Sequence, residues 1–466
     1  MCGLFAISNS ETAARSTFLG LFALQHRGQE SAGITVVAAD GKLVTHKDRG
    51  LVADVFKSEI LSQLQGKAAI GHVRYSTAGG NSDANVQPLT ARIGGRPVAI
   101  AHNGNIVNAD NLRETLEDAG TILHGTADTE IALHLMARSR HADFGDRFID
   151  AMDHVKGAFT GLLITDTHIY GYVDRMGYRP LVLGKATGGW VLASESCALD
   201  LVGSEFVRDV KPGELVVIDL TTQAIKSVFP HDAGKTQRAR CVFEHIYFGR
   251  PDSRMWGQSS LVKRSELGAA LAQEAPVAAD LVMAIPDSGV PIAMGYAEAS
   301  GIPYKMGLIR NHYVGRTFIE PAQVVRNFRV RLKLNPVREI VSGKRLIVVD
   351  DSIVRGTTSK RIIEILRDAG ALEVHVRVGS PEVRFPCFYG IDTPKRRELL
   401  AQTMTLAEMR EFLGADSLAF LSEQTMVKVM STGLESESAA QPQWCTACFS
   451  GKYGDEYAQA ASNKQT

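Results

Sequence analysis

The first half of the chain alternates short apolar runs with turn residues, a pattern typical of β-strands joined by hairpins. Asp40 and Gly41 separate two such runs and predict a two-residue hairpin turn. This half has predicted strands at residues 3–8, 31–39, 42–46, 68–75, 97–102, 158–165, 168–173 and 181–194, with a break at 188–189, and predicted helices at 109–119, 128–139 and 146–155. Two groups of strands with helices between them indicate a layered α+β domain.

The second half alternates strands with helices, which is the pattern of a parallel α/β sheet. It has predicted helices at residues 261–273, from 290 onward and at 357–369, and predicted strands at 281–285, 303–309, 345–349 and 372–378. The polar segment 230–240 separates the two patterns, so we expect two domains, residues 2–235 and 236–466. The tail after Tyr453 is polar, and we expect it to be frayed.

The composition is that of an ordinary globular protein, since 45% of the 466 residues are hydrophobic and 22% are charged. Lys plus Arg and Asp plus Glu both total 51, which argues against a general polyanion binder. No apolar run approaches the roughly 18 residues of a membrane helix. The N-terminus lacks the features of a signal peptide, and six Cys are too few for a secreted disulfide scaffold. We therefore expect a cytoplasmic protein with no nucleic acid or membrane partner.

Cys2 directly follows Met1, and its small side chain permits removal of Met1. The mature chain would then begin with a residue that carries both a thiol and an α-amine. Because an α-amine titrates at about 7.7–8.0, it can act as a base for that thiol at neutral pH. Taken alone, however, a Cys at this position is most often only a small residue that allows Met removal.

Four segments after Cys2 match the motifs of one family in order. They are QHRGQESAG at 25–33, GHVRYST at 71–77, AHNGN at 101–105 and GTADT at 125–129. Together they resemble the N-terminal-nucleophile glutaminase domain of glutamine amidotransferases, an αββα sandwich. Each of these residues alone has a simpler interpretation. Asn103-Gly104 also fits a hairpin turn, Asp128 also fits a helix N-cap, and Arg74 also fits a surface charge.

The resemblance assigns a role to each residue of these motifs. It implies that Cys2 is the nucleophile, with its free α-amine as the base, and that Arg27 lies near it. The Asn103 side chain and the Gly104 N–H would stabilise the oxyanion of each tetrahedral intermediate. Arg74 would bind the α-carboxylate of glutamine through two donors, and Asp128 would bind its ammonium group.

The stretch RLIVVDDSIVRGTTSK at 345–360 places two adjacent carboxylates, Asp350 and Asp351, at the end of an apolar strand. Gly356 then lies in a short loop before a helix, whose N-terminus suits a phosphate. Thr357 and Thr358 add hydroxyl donors, and the carboxylates suit ribose hydroxyls or a hydrated Mg²⁺. This stretch resembles the signature of type I phosphoribosyltransferases, which bind phosphoribosyl pyrophosphate. A plain nucleotide-binding loop is disfavoured because the Walker Gly-Lys-Ser/Thr sequence is absent.

A second loop, PDSG at 286–289, resembles the pyrophosphate loop of the same family, although alone it predicts only a turn. The resemblance implies one Mg²⁺ per subunit, held by Ser288, Asp350 and Asp351. It also implies that phosphoribosyl pyrophosphate is bound by Asp287, Ser288, Gly289, Arg316, Asp350, Asp351, Ser352, Arg355, Gly356, Thr357 and Thr358.

A basic stretch lies between the two loops. It contains Arg310, Arg316, Arg326, Arg329, Arg331, Lys333 and Arg338. A solvated face or a nucleic-acid patch would carry similar charge, but the position between two anion loops favours neutralisation of pyrophosphate. The family resemblance implies that NHYVGRTFIEP at 311–321 is part of a flexible loop that closes over the substrate and excludes water.

Four dispersed cysteines, Cys241, Cys387, Cys445 and Cys448, suggest a tetrathiolate site. Zn²⁺ and a 4Fe-4S cluster both accept four thiolates, spacing alone slightly favours zinc, and unrelated buried thiols are a third alternative. From Cys2 to about Tyr453, the chain resembles the iron–sulfur group of the glutamine phosphoribosylpyrophosphate amidotransferases. That resemblance favours a structural 4Fe-4S cluster on these four residues. Members of the group often carry a short propeptide, whereas here only Met1 precedes Cys2, so we expect simple removal of Met1.

The combined resemblance implies a reaction that neither half would perform alone. Glutamine, water and phosphoribosyl pyrophosphate would become 5-phosphoribosylamine, glutamate and pyrophosphate, the first committed step of de novo purine synthesis. It also implies inhibition by AMP, ADP and GMP, and a homotetramer. Two alternatives are another glutaminase-coupled synthase and a nucleic-acid-binding regulator. The signature at 350–358 argues against the first, and the intact glutaminase motifs with zero net charge argue against the second.

Overall fold

The computed structural model describes residues 1–75, 82–229, 238–311, 334–434 and 444–463. In these ranges the strands, numbered β1 to β23 in chain order, are Gly3–Ile7, Ser31–Val37, Leu43–Arg49, Ala68–Arg74, Leu89–Ile93, Arg96–Ile106, Gly157–Thr165, His168–Val173, Val182–Ala186, Gly189–Ala193, Glu205–Asp209, Leu215–Asp219, Ile225–Val228, Arg240–Cys241, Arg254–Met255, Gln258–Ser259, Leu281–Ala284, Leu308–Arg310, Leu334–Pro336, Arg345–Asp350, Glu373–Val378, Ser417–Phe420 and Trp444–Cys445.

The α-helices of the same ranges, numbered α1 to α16, are Ala13–Ala23, Val52–Val55, Ser58–Gln63, Ala109–Asp118, Asp128–Arg138, Phe144–His154, Cys197–Leu201, Ser260–Glu274, Val290–Ser300, Arg338–Val341, Thr357–Asp368, Leu400–Thr403, Leu406–Leu413, Glu423–Ser431, Ala447–Ser450 and Glu456–Asn463. Short 3-10 turns lie at Gln25–Arg27, Asp83–Asn85 and Arg396–Glu398, and a π-helix at Glu244–Phe248. None of these helices is long and apolar enough to cross a bilayer.

The N-terminal part is a four-layer αββα sandwich. One antiparallel sheet has the strand order β11-β9-β10-β1-β4-β2-β3, and the other has the order β13-β12-β8-β7-β6-β5. Their facing sides share one apolar core, in which Leu4 of β1 packs with Ala101 and Leu162 of the other sheet. Helix α1 covers the first sheet, and α5 and α6 cover the second. Strand β1 is apolar throughout because it is buried on both faces.

The C-terminal part is an α/β domain around a parallel sheet of order β17-β20-β21-β22. Helices α8 and α9 pack on one face of this sheet, and α11 and α13 pack on the other. Parallel strands end at a common edge, so the residues that follow β17 and β20 lie close together. This part of the fold therefore confirms the predicted fold class.

Most predicted elements match the observed ones to within a few residues, including the hairpin at Asp40-Gly41. Two predictions were wrong. The predicted strand at 303–309 is reduced to β18 and an isolated bridge between Val282 and Tyr304. The tail predicted to be frayed forms α16, in which Ala458 is fully buried against Tyr178 and Tyr389. Residues 230–237, where the domain boundary was predicted, lie outside the described ranges.

Candidate active sites

The first candidate site lies where β1, β4 and β6 meet at the end of the sandwich. Cys2 immediately precedes β1, and its backbone N–H donates to Oδ1 of Asn103 on β6 at 3.0 Å. The Nδ2 group of Asn103 is buried and has no hydrogen-bond partner. An unpaired buried amide donor is costly unless something else satisfies it, so this N–H group is available to a bound oxygen.

Gly104 follows Asn103 in the middle of β6, where it pairs with Phe159 of β7. Its φ is +147°, and a Cβ at this position would lie 2.1 Å from the carbonyl oxygen of Ala158. Only glycine therefore fits here without moving the neighbouring strand. The Asn-Gly pair lies inside a strand, which excludes the alternative of a hairpin turn.

Asp128 and Arg74 lie on either side of this position. Asp128 is the first residue of α5. Its carboxylate accepts a hydrogen bond from the Ile106 N–H at 2.9 Å and lies 3.6 Å from Nδ1 of His102. Burial alone would raise the pKa of Asp128, but His102 and the backbone donors outweigh it, so the net pKa is lowered. Arg74 ends β4, is only 4% exposed and lowers the pKa of the Cys2 thiol. The structure thus brings the predicted glutaminase residues together.

Titration of the two N-terminal groups is dominated by burial. Burial raises the pKa of the Cys2 thiol, which the N-terminal amine and Arg74 only partly offset. The amine of Met1 is also buried, and burial lowers its pKa to about 6. The thiol is therefore protonated near neutral pH and needs a base, whereas an amine in this environment is mostly neutral.

The second candidate site lies at the carboxyl edge of the parallel sheet. Asp351 follows β20, is 4% exposed and accepts a hydrogen bond from the Ser352 hydroxyl at 2.7 Å. Burial raises the pKa of both Asp350 and Asp351, and the charge of Asp351 raises that of Asp350 further. Hydrogen bonding by Ser288, from the loop after β17, lowers the pKa of Asp351. The two loops predicted from sequence therefore meet at one acidic position.

Charged side chains surround this acidic position. Arg310 forms an ion pair with Asp287, and Arg355 forms one with Glu398 at 2.9 Å. Arg338 instead donates to the Asp368 carbonyl at the far end of α11, so it does not belong to this site. The predicted Arg316 and the rest of the basic stretch up to residue 333 lie outside the described ranges.

The loop before α11 also lines the cavity at this site. Gly356 has a φ of +72°, and a Cβ there would lie 2.6 Å from the Leu400 side chain. Thr357 and Thr358 are the first residues of α11, whose N-terminal N–H groups lack helical partners. Gly289 does not line the cavity at this site, unlike the other described residues predicted to bind phosphoribosyl pyrophosphate.

The four dispersed cysteines lie near one another at the junction of the two parts. Cys241 of β14 pairs in register with Cys445 of β23, and Cys448 lies one helical turn further along in α15. The thiol of Cys387 accepts a hydrogen bond from the Tyr389 N–H at 3.3 Å. All four thiols are free. Within the described ranges, no three His, Cys, Asp or Glu side chains are close enough to hold a single metal ion.

One cavity of about 820 Å³ connects these features. Its walls include Met1 and Tyr75 beside the first site, Asp350 and Asp351 of the second, and all four of the dispersed cysteines. Tyr247 and Phe248 of the π-helix line it between the two sites. One cavity therefore reaches from residues next to Cys2 to the aspartates of the second site.

Fold and sites together define a glutamine amidotransferase joined to a phosphoribosyltransferase. A family model described as a glutamine amidotransferase domain matches residues 72–200, and one described as a phosphoribosyl transferase domain matches residues 265–379. The chain belongs to the amidophosphoribosyltransferases. It makes 5-phosphoribosylamine, glutamate and pyrophosphate from phosphoribosyl pyrophosphate, glutamine and water, the first committed step of de novo purine biosynthesis.

Two relatives and one solved structure support this assignment. Amidophosphoribosyltransferase of Bacillus subtilis (strain 168) is 47% identical over 460 residues, which cover 98% of this chain and 95% of the relative. Chloroplastic amidophosphoribosyltransferase 1 of Arabidopsis thaliana is 48% identical over 97% of this chain and 78% of its own length. The solved structure of the B. subtilis enzyme, complexed with ADP and GMP, is 46% identical, has a TM-score of 0.90 and is covered over 97% of both chains.

Proposed function

We propose that Cys2, made N-terminal by removal of Met1, is the nucleophile of the glutamine half-reaction. The observation that carries this proposal is the Asn103 amide, whose oxygen accepts from the Cys2 N–H while its nitrogen has no partner. One side chain thus orients the nucleophile and keeps a donor for the oxyanion, which the Gly104 N–H would join. Preset donors of this kind stabilise the charge that develops in acyl transfer.

The proton of the thiol would pass to the α-amine of Cys2. With Met1 attached, the nitrogen of Cys2 is an amide and cannot act as a base. After removal of Met1, the α-amine of Cys2 would be a free amine, a group that ordinarily titrates at about 7.7–8.0, and could deprotonate the thiol. The thiolate would attack the side-chain amide of glutamine, ammonia would leave, and water would hydrolyse the thioester to glutamate.

Arg74 and Asp128 would hold the α-carboxylate and the ammonium group of glutamine. Arg74 is buried and the Asp128 side chain is 12% exposed, and the pKa of Asp128 is lowered, which keeps its carboxylate charged. A fixed guanidinium binds a carboxylate through two donors and so also fixes its orientation. Arg27 would act on the nucleophile indirectly, through its hydrogen bond to the Cys2 carbonyl at 3.0 Å.

Phosphoribosyl pyrophosphate would bind over the second site. Asp350, Asp351 and Ser288 would hold one Mg²⁺ per subunit, and the donor set fits, since Mg²⁺ uses one or two carboxylates together with substrate phosphates. The two carboxylates are adjacent in sequence at the end of β20, and Ser288 from the loop after β17 hydrogen-bonds to Asp351, so the three side chains lie at one position. When bound, the ion would neutralise charge on the departing pyrophosphate. Ser352, Arg355, Gly356, Thr357 and Thr358, with Asp287, Gly289 and Arg316, complete the proposed set.

Ammonia would travel from Cys2 to the phosphoribosyl carbon inside the protein. The cavity that borders both sites supports this proposal. The proposed domain boundary after residue 235 assigns Cys2 to one domain and the phosphoribosyl site to the other. Shielding matters because ammonia released to water would be protonated and lost.

Cys241, Cys387, Cys445 and Cys448 would hold a structural 4Fe-4S cluster. Four free thiols around one cavity fit four-thiolate ligation, and a cluster of four irons spaces its ligands more widely than a single ion does. The group would tie the C-terminal segment to the rest of the chain. Stoichiometric zinc without iron and sulfide in the purified protein would contradict this assignment.

Regulation is proposed from similar solved structures, and assembly from the family resemblance of the sequence. A B. subtilis enzyme was solved with ADP and GMP, and another similar structure is described as the allosteric regulatory enzyme of purine biosynthesis. We expect AMP, ADP and GMP to inhibit this chain, and a cytoplasmic homotetramer to be its working form.

The test is glutamate release from glutamine, measured anaerobically with Mg²⁺, with and without phosphoribosyl pyrophosphate. Strong stimulation by that substrate is the expected result, because it requires two coupled sites. Glutamate release that ignores phosphoribosyl pyrophosphate would leave a glutaminase but contradict the coupling. Intact-mass measurement of the active protein should show that Met1 is absent, and Met1 retained on active protein would contradict the free-amine mechanism.

A further inference from the structure

Arg27 makes polar contacts in three directions, and one of them reaches the nucleophile. Its Nε donates to the Cys2 carbonyl at 3.0 Å, one terminal nitrogen donates to Glu195, and the other donates to both oxygens of Glu244 at 2.9 and 3.1 Å. The three side chains are fully buried. The guanidinium is therefore held at both ends, and its position fixes the Cys2 carbonyl.

Glu244 also holds a second buried arginine. Arg179 donates to Glu244 at 3.3 Å, and its Nε and a terminal nitrogen both donate to the Tyr389 carbonyl, at 3.0 and 2.5 Å. The Tyr389 ring stacks on Tyr178 with the ring centroids 4.1 Å apart. One carboxylate thus lies between an arginine bound to Cys2 and an arginine bound to Tyr389.

The segment 388–390 lies against the proposed oxyanion donors. The Phe388 carbonyl accepts a hydrogen bond from Nδ2 of Asn105 at 2.9 Å. Gly390 has a φ of +102°, and a Cβ there would lie 2.9 Å from both the carbonyl carbon and the carbonyl oxygen of Gly104. A segment from the C-terminal part therefore packs directly on the backbone of Gly104.

We propose that Glu244 is a positioning residue for the glutaminase reaction, supplied by the part of the chain that carries the transferase site. Through Arg27 it fixes the backbone of Cys2, and through Arg179 it fixes segment 388–390 against Gly104. The nucleophile and one oxyanion donor are thus held by the same carboxylate. This inference rests on the proposed roles of Cys2, Asn103 and Gly104.

Glu195 is not equivalent to Glu244. It also binds Arg27, but it further accepts from the Ser253 hydroxyl at 2.6 Å, the Arg250 N–H at 2.9 Å and the Cys197 thiol at 3.9 Å, and it contacts His26. None of these partners bonds to Gly104 or to the segment 388–390. Glu244 alone, among the described side chains, bonds to both Arg27 and Arg179. Its loss would release the nucleophile and the oxyanion donor together.

The experiment uses the full chain with Glu244→Gln, which keeps the shape of the side chain and removes its charge. We expect kcat for glutamate release to fall about 10²-fold, the scale of a misplacement by about 1 Å. The KM for glutamine should stay within about threefold and ammonia-dependent synthesis within about twofold, because Arg74, Asp128 and the transferase site are untouched. Glu373→Gln is the matched control, since Glu373 pairs with His375 at 2.9 Å on a distant strand.

Gly390→Ala tests the same link without changing any charge. The added methyl group would press on Gly104, so the same fall in kcat with ammonia-dependent synthesis preserved is expected. If Glu244→Gln does not fold, the kcat of Gly390→Ala for glutamate release tests the proposal instead. A folded variant of either kind with unchanged glutaminase kcat would overturn the proposal, as would equal losses of the glutamine- and ammonia-dependent reactions. Glutamine-driven synthesis that survives Cys2→Ala would instead overturn the proposed nucleophile.

Discussion

The glutaminase and transferase sites differ in how their charges are balanced. Around Cys2, the arginines at 27 and 179 face the carboxylates at 195 and 244, and all four side chains are fully buried. At the transferase site, Asp350 and Asp351 lie side by side, burial raises the pKa of both, and the charge of Asp351 raises that of Asp350 further. Opposite charges are thus paired around the first site, whereas the second places two carboxylates next to each other, where we propose that Mg²⁺ binds.

This difference predicts different responses to mutation. Buried charge pairs are strongly coupled, so loss of one partner disturbs its neighbours. A site whose charges are completed by substrate and metal should instead lose binding and turnover while its surroundings remain in place. The following predictions test this contrast by separating glutamine-driven from ammonia-driven synthesis.

Cys2→Ala should have the largest effect. Removal of a catalytic nucleophile should lower glutamine-dependent synthesis by about 10⁴-fold or more, since residual rates come only from binding and the oxyanion donors. Synthesis from added ammonia should be preserved, and both rates are read as 5-phosphoribosylamine formation. Loss of both reactions in folded protein would mean that the two sites are not separable.

Asn103→Ala should lower kcat for glutamate release by roughly 10²–10³-fold, the usual cost of one oxyanion donor. The KM for glutamine should change little, because its charged groups are held elsewhere. Steady-state kinetics with glutamine and with ammonia measure the separate effects on kcat and KM. Asn108→Ala is a control at another buried asparagine, which bonds only to the backbone of residues 154 and 156. A change confined to KM would contradict the assigned role.

Asp351→Asn should lower both the glutamine- and the ammonia-dependent synthesis. Loss of several kcal/mol of charge stabilisation at the departing pyrophosphate corresponds to about 10²-fold in rate. Glutamate release without phosphoribosyl pyrophosphate should be unaffected, since Cys2 and its partners are untouched. Asp280→Asn is the control, because Asp280 directly precedes β17 and pairs with Arg345 at the end of β20 opposite to Asp351. Unchanged ammonia-dependent synthesis would contradict a role for Asp351.

The candidate residues of both sites stand in short contiguous motifs, and the resemblance of those motifs to known families let the sequence name them. Strand β20 and the helix after Gly356 follow from local apolar pattern and turn chemistry, which sequence displays directly. Helix α1 was not predicted because its apolar residues lie on all sides of the helix and show no helical periodicity. Gly20 does not interrupt this helix, and it packs against the Phe5 ring. Local pattern does not show such a contact.

The charge network could not be predicted, because its members are far apart in sequence. Glu195 and Glu244 reach Arg27 from positions 168 and 217 residues away. The C-terminal tail was wrongly expected to fray for the same reason. Its helix is fixed by distant partners, including the Tyr389 hydroxyl, which donates to Asp455 at 2.7 Å. Polar composition describes the tail alone and not the surface that receives it.

Glu398→Gln should have the smallest effect. It tests whether charged side chains at the transferase site are only weakly coupled to one another. Arg355 and Glu398 are about half-exposed, and their ion pair at 2.9 Å is screened by water. Because Arg355 is proposed to bind phosphoribosyl pyrophosphate, removal of the competing carboxylate should lower the KM for that substrate by about twofold, without change in kcat. The corresponding change at Glu244 is expected to act on kcat instead. If Glu398→Gln lowered kcat strongly, the transferase site would be as tightly coupled as the glutaminase site, and the contrast between the two would fail.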